Sequence, residues 1–140
     1  MTDDAASPGE LRLVLQKVAR RIRAERGDSE VTDSQMAVLW RLDKSGTASP
    51  GELAAAEKVS PPSMNRIVNA LQEAGYATRT QHDDDGRRVV VTLTAAGRAV
   101  TAETRRLRDE WFSRHLALLS EEERTQLLAV TDILRKLAES

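Results

Sequence analysis

Between Gly75 and Thr94 the periodicity of the chain changes. Val89, Val91 and Leu93 alternate with Arg88, Val90 and Thr92, which is the two-residue period of a strand. The preceding run Tyr76-Ala77-Thr78-Arg79-Thr80 is also strand-like, and Asp83-Asp84-Asp85-Gly86 joins the two, with Gly86 free to take positive φ at a tip. On both sides apolar residues recur at the helical period of 3.6. One hairpin, residues 76–94, is therefore embedded in a helical chain. The predicted fold class is mostly α with a small β-wing.

The helix starts are marked by caps. A Ser or Thr followed three residues later by Glu or Gln satisfies orphan N–H groups of a first helical turn, at roughly 1 kcal/mol per cap. Ser7 with Glu10, Thr32 with Gln35, Ser49 with Glu52 and Ser120 with Glu123 fit this pattern, and Ser60 before Pro61 marks a further start. Pro8 and Pro50 sit at first helical positions, where a missing N–H costs nothing. The stripe Leu11, Val14, Leu15, Val18 and Ile22 defines a first helix that Gly27 should end. Met36, Leu39, Trp40 and Leu42 define a second, ending near Gly46. A short helix from Pro50 to about Lys58 precedes another from Pro61 to Ala74, with Met64, Ile67, Val68 and Leu71 inward and Gly75 as its stop. Long helices follow over Ala95 to Leu119 and Glu121 to Ala138.

Residues 50–74 are thus two helices joined by the short turn Lys58-Val59-Ser60, a helix-turn-helix outline. The second helix turns Ser60, Pro62, Ser63, Asn65, Arg66 and Asn69 outward. In this motif the start of the second helix meets base edges in the major groove, where Asn suits adenine and Arg suits guanine. Ser60 and Ser63 suit phosphate at a helix N-terminus. The hairpin directly afterwards makes a winged helix. In the wing, Arg87 or Arg88 can reach a narrow minor groove, and Asp85 can brace that arginine.

The bulk figures confine the alternatives. The 140 residues carry 21 Lys and Arg against 22 Asp and Glu, a net charge of −1, so a DNA-binding surface must be a local patch. The absence of cysteine removes disulfides, thiolate metal sites and thiol redox sensing. No apolar run approaches a bilayer span, and the acidic start MTDDAASPGE is unlike a signal peptide, so a soluble cytoplasmic protein without membrane association is expected. His82 beside Asp83, Asp84 and Asp85 hints at a metal, but neighbours in a hairpin tip diverge and no complete ligand set is visible. No catalytic constellation, metal site or cofactor is expected, and the chain is read as a non-enzyme. The competing reading keeps the winged helix as a protein-interaction module without specific DNA binding.

The order of elements and the run DDDGRRVVVTLTAAG (83–97) resemble the multiple-antibiotic-resistance regulator (MarR) family. That family's wing carries Asp-x-Arg followed by alternating apolar residues and a Leu-Thr-x-x-Gly step, matched here by Asp85, Gly86 and Arg87, then Leu93, Thr94 and Gly97. The stretch 49–79 looks like its reading head, and the resemblance covers about residues 10–138. It implies a single chain, 1–140, with a winged helix-turn-helix core at 33–97 and dimerisation helices at 8–27 and 98–138. It further implies that Arg87 is the minor-groove arginine with Asp85 as its brace. The expected function is a transcription regulator, a repressor, binding a pseudo-palindromic operator as a homodimer. The partners are then double-stranded DNA, a second copy of the chain, and a small anionic aromatic effector that releases the protein from DNA. Trp40, Trp111 and His115 are of the type to line an effector pocket.

The terminal helices bear on the dimer as well, against the alternative that three helices pack within one chain. Leu11, Leu15, Val18, Leu127, Leu134 and Leu137 would be left partly bare on a monomer. The first helix is also basic, with Arg12, Lys17, Arg20, Arg21, Arg23 and Arg26 outnumbering Glu10 and Glu25. This face is read as solvated and paired with acids such as Glu121, Glu122 and Glu123.

Overall fold

The computed structural model describes residues 5–27, 30–81 and 88–140. In chain order they form α1 (Pro8–Ala24), α2 (Asp33–Ser45), β1 (Thr47–Ala48), α3 (Pro50–Glu57), α4 (Pro61–Glu73), β2 (Ala77–Gln81), β3 (Val89–Leu93), α5 (Ala95–Leu116), α6 (Glu121–Ala129) and α7 (Thr131–Ala138). The chain divides into two compact units, one of residues 26–106 and one of residues 1–25 with 107–140. The expected core limits, 33 and 97, both fall inside the first unit.

All five cap residues act as read. Ser7, Thr32, Ser49, Ser60 and Ser120 each accept a hydrogen bond from the backbone N–H three residues on. Reciprocal capping boxes form at Thr32 with Gln35 and at Ser120 with Glu123.

In the 26–106 unit, α2, α3 and α4 pack with a three-stranded antiparallel sheet of order β1-β3-β2. Leu39, Leu42, Leu53, Met64, Val68, Leu71 and Val91 are buried at its centre. Each such side chain contributes about 1.5–3 kcal/mol by leaving water. β2 pairs with β3 from Ala77 opposite Leu93 to Gln81 opposite Val89. The two-residue β1 is an addition to the expected hairpin, with Thr47 opposite Thr92 and Ala48 opposite Val91. Gly46, at φ +85, turns the chain out of α2 and into it.

A tight junction closes the hairpin. The Thr94 hydroxyl donates to the Gly75 carbonyl at 2.6 Å and accepts from the Gly97 N–H at 3.0 Å. The Thr94 N–H donates to the Tyr76 carbonyl at 3.1 Å. A Cβ on Gly97 would stand 2.1 Å from that same Tyr76 oxygen, so the first turn of α5 can pass there only as glycine.

In the other unit, α1 ends at Ala24, three residues ahead of Gly27. Arg108 explains the early stop: its guanidinium donates to the carbonyls of Glu25, at 3.1 Å, and Arg23, at 3.3 Å, satisfying helix-end acceptors. α5 likewise stops at Leu116, before the expected Leu119. The predicted final helix is in fact two, broken at Val130 (φ −90, ψ 4). There the Thr131 hydroxyl donates to the Leu128 carbonyl at 2.7 Å, a local bond that competes with the helical ladder. None of α1, α6 and α7 has a buried residue within the chain.

Candidate nucleic-acid interface

The turn between α3 and α4 is tight because Lys58 takes the left-handed conformation, φ 55 and ψ 43. Its neighbour's N–H, on Val59, donates to the Ala54 carbonyl at 3.0 Å. α4 then buries Met64, Val68 and Leu71 and half-buries Ile67. With that face sunk in the core, the opposite face is held outward. Pro62, Asn65, Arg66 and Asn69 are exposed on it, with Ser60 exposed at its start and Ser63 half-buried.

A chain of hydrogen bonds runs along the start of α4. The Ser60 hydroxyl accepts from the Ser63 N–H at 3.2 Å and donates to the Ser63 hydroxyl at 2.9 Å. Arg66 donates to that Ser63 oxygen at 3.3 Å. The first turn of α4 contains no acidic residue, whereas those of α2, α3 and α6 do. The positive end of the α4 dipole is therefore not offset by a side chain of its own first turn, which favours an approaching anion.

Two arginines tie the wing strands to the helices. Arg88, at the start of the β3 arm, pairs with Glu52 of α3 at 3.1 Å. Arg79 of β2 donates to the Asn69 side-chain oxygen, lies 3.5 Å from the Gln72 side-chain oxygen, and donates to the Asn65 carbonyl at 3.4 Å. In the sequence Arg79 is one residue of a strand-like run. Its register places it opposite Val91 and against α4, a placement that no local spacing encodes. Asp85, Gly86 and Arg87 lie outside the described residues, as do His82, Asp83 and Asp84. Among the described residues no cluster of His, Asp and Glu could hold a metal ion, and no helix is long and apolar enough to cross a membrane.

Both tryptophans expected at an effector pocket have a cation on the ring. In the 26–106 unit Arg105 lies 5.0 Å from the Trp40 ring centre and pairs with Asp43 at 3.2 Å. In the other unit Trp111 stacks on His115 with centroids 4.0 Å apart, and Arg21 lies 5.1 Å from the Trp111 ring. So one of the basic side chains of α1 has an aromatic partner, and Arg12 donates to Gln16 at 3.0 Å. Glu123 is occupied by capping Ser120. Separately, an open depression of about 320 Å³ in the 26–106 unit is lined by Tyr76, Val100, Glu103 and Thr104 among others. The Thr104 hydroxyl is buried and has no hydrogen-bond partner among the described residues.

These elements define a winged helix-turn-helix protein, the architecture in which a second helix and a β-hairpin address duplex DNA. The model of the MarR family matches residues 31–89. An uncharacterized HTH-type transcriptional regulator of Mycobacterium bovis is 34% identical over 139 residues, spanning 99% of this chain and 97% of its own. The chain belongs to the MarR family of transcriptional regulators. A crystal structure from Pseudomonas aeruginosa, described as that of a transcriptional regulator, matches with a TM-score of 0.83 at 33% identity, covering 94% of each chain. A mutant of MarR from E. coli, complexed with operator DNA, shares the fold with a TM-score of 0.66 at 23% identity, over 91% of this chain and 89% of that one.

Proposed function

We propose that the chain binds double-stranded DNA as a homodimer, at a pseudo-palindromic operator, and represses transcription from it. The observation that carries this reading is the two-faced α4. Met64, Val68 and Leu71 anchor one side, and Ser60, Pro62, Ser63, Asn65, Arg66 and Asn69 line the other. Arg66 is the residue suited to a guanine in the major groove. The wing supplies Arg87 to the minor groove, with Asp85 as its brace. The engagement of Arg88 with Glu52 favours Arg87 over Arg88 for that role. The E. coli protein seen with operator DNA shares this fold and so supports the reading. A dimer covering such a site excludes other proteins from it, which makes repression the direct consequence of occupancy. A small effector would suit the depression beside Thr104, whose volume falls in the range of ligand pockets and which offers a hydroxyl unpartnered among the described residues.

The test is selection of bound duplexes from a random pool in ~0.15 M salt, which should return a palindrome with half-sites ~10 bp apart centre to centre. On the selected duplex, Arg66→Ala and Arg87→Ala should each cost roughly 1–3 kcal/mol of binding. No enrichment by the wild-type protein, together with flat salt dependence, would leave the winged helix as a protein-interaction module.

A further inference from the structure

Asn69 sits on the exposed face of α4 assigned to base reading, and its side chain is held from outside the helix. Arg79 donates to the Asn69 side-chain oxygen. A guanidinium has five donors and no acceptor, so it can hold only the oxygen end of an amide. The amide is thereby oriented by chemistry, with its oxygen toward β2 and its NH2 as the end left for another partner. Arg79 is itself well placed to do this. It is half-buried, its strand is paired with β3, and its second nitrogen donates to the Asn65 carbonyl one turn earlier on α4. A charged donor holding an amide oxygen forms a bond roughly twice as strong as a neutral one.

Asparagine with a free amide reads adenine by donating to N7 while accepting from the N6 amino group. At Asn69 one of the oxygen's two lone pairs is taken by Arg79, which draws the accepting end toward β2. We propose that Arg79 is a positioning residue that commits Asn69 to donate. The base facing it is then favoured by its acceptors: guanine offers O6 and N7 and thymine offers O4, whereas adenine offers N7 alone and its N6 amino group loses the acceptor of a paired contact. The inference rests on the DNA-binding reading above and specifies one position of the site.

The experiment is the same duplex selection, run with wild type, Asn69→Ala and Arg79→Met. Asn69→Ala identifies the position that depends on Asn69, and in the wild-type set that position should hold guanine or thymine. In Arg79→Met it should relax toward adenine by about tenfold in relative enrichment, a typical discrimination for one base contact, while other positions keep their preferences. Adenine at the Asn69-dependent wild-type position overturns the proposal without any use of the Arg79 variant. An unchanged profile in Arg79→Met also overturns it. So does a uniform loss of affinity with the salt slope lowered by about 1, because that marks a phosphate contact. Failure of the wild-type protein to enrich any duplex is a separate result, and it removes the DNA reading and this inference together.

Discussion

At Gly97 the absence of a side chain decides whether two elements can meet. The Tyr76 carbonyl occupies the place where a Cβ would stand, and Thr94 pins both sides of the junction through its hydroxyl. That oxygen cannot swing away, because it belongs to the backbone and accepts from the Thr94 N–H. Gly97→Ala should therefore destabilise the protein by about 3 kcal/mol or more, at the upper end for overpacking. A urea titration would show it as a lowered midpoint, and a variant as stable as wild type would mean the junction is soft. The reason for this glycine could not be read from its neighbours in sequence, since the obstructing oxygen belongs to a distant residue. The Leu-Thr-x-x-Gly resemblance flagged the position without supplying the cause. The caps Thr32 and Ser120 were legible because a cap and its partner lie within one turn. Arg79 was not legible, for the same reason as Gly97: its partners are on another element.

Whole elements follow the same division between local and distant causes. α2, α3 and α4 have caps at their starts, α2 and α4 also have stripes at period 3.6, and each appears where those signals place it. β1 has only two residues, too few for a period, and it exists because Val91 and Thr92 on β3 have an unpaired edge for it to meet. The division of the last helix at Val130 was hidden because Leu127, Leu128, Leu134 and Leu137 keep helical spacing across the break. The capping box at the start of α6 gives this region a titratable feature. The Ser120 backbone N–H, and then its hydroxyl, hold the Glu123 carboxyl below its ordinary value of 4.5. A lowered folded value means the stabilisation is present above pH 4.5 and is lost as pH falls through the folded value. Glu123→Gln keeps a capping side chain but cannot ionise. Wild type should therefore melt at a higher temperature than Glu123→Gln at pH 7, and the two should converge as pH falls through the lowered folded value, where the wild-type carboxyl becomes protonated as well. A gap that persists unchanged into acid would show that charge at the cap contributes nothing.

At the scale of the molecule, the two units differ in how far they cover their own apolar surface. The 26–106 unit encloses a closed core, with Leu39, Leu53 and Met64 fully buried. The unit formed by the chain ends does not. Leu11, Val14 and Leu137 are more than half exposed, Val18 and Leu127 are exposed at 38% and 41%, and Leu15 and Leu134 are half-buried. Pro8, Leu11, Leu15 and Leu137 line an open apolar groove of about 410 Å³. Apolar surface of this kind on a small unit calls for cover, and a second copy of the same face is the cover that the proposed operator symmetry requires. The six positions named from the sequence all lie in this unit, which is why their spacing was legible while their partner was not. Because Leu11 and Leu137 are already exposed in the single chain, charging them should leave the fold intact. The double variant Leu11→Glu, Leu137→Glu should keep the wild-type far-UV spectrum and sediment as a monomer. Loss of the linked second half-site should weaken operator binding by about 10²-fold or more, because the second contact no longer benefits from a high effective concentration. A well-folded double variant that remains dimeric would place the dimer contact on another surface. A monomer with undiminished operator affinity would instead show that one winged unit suffices, and the site would then have no reason to be a palindrome.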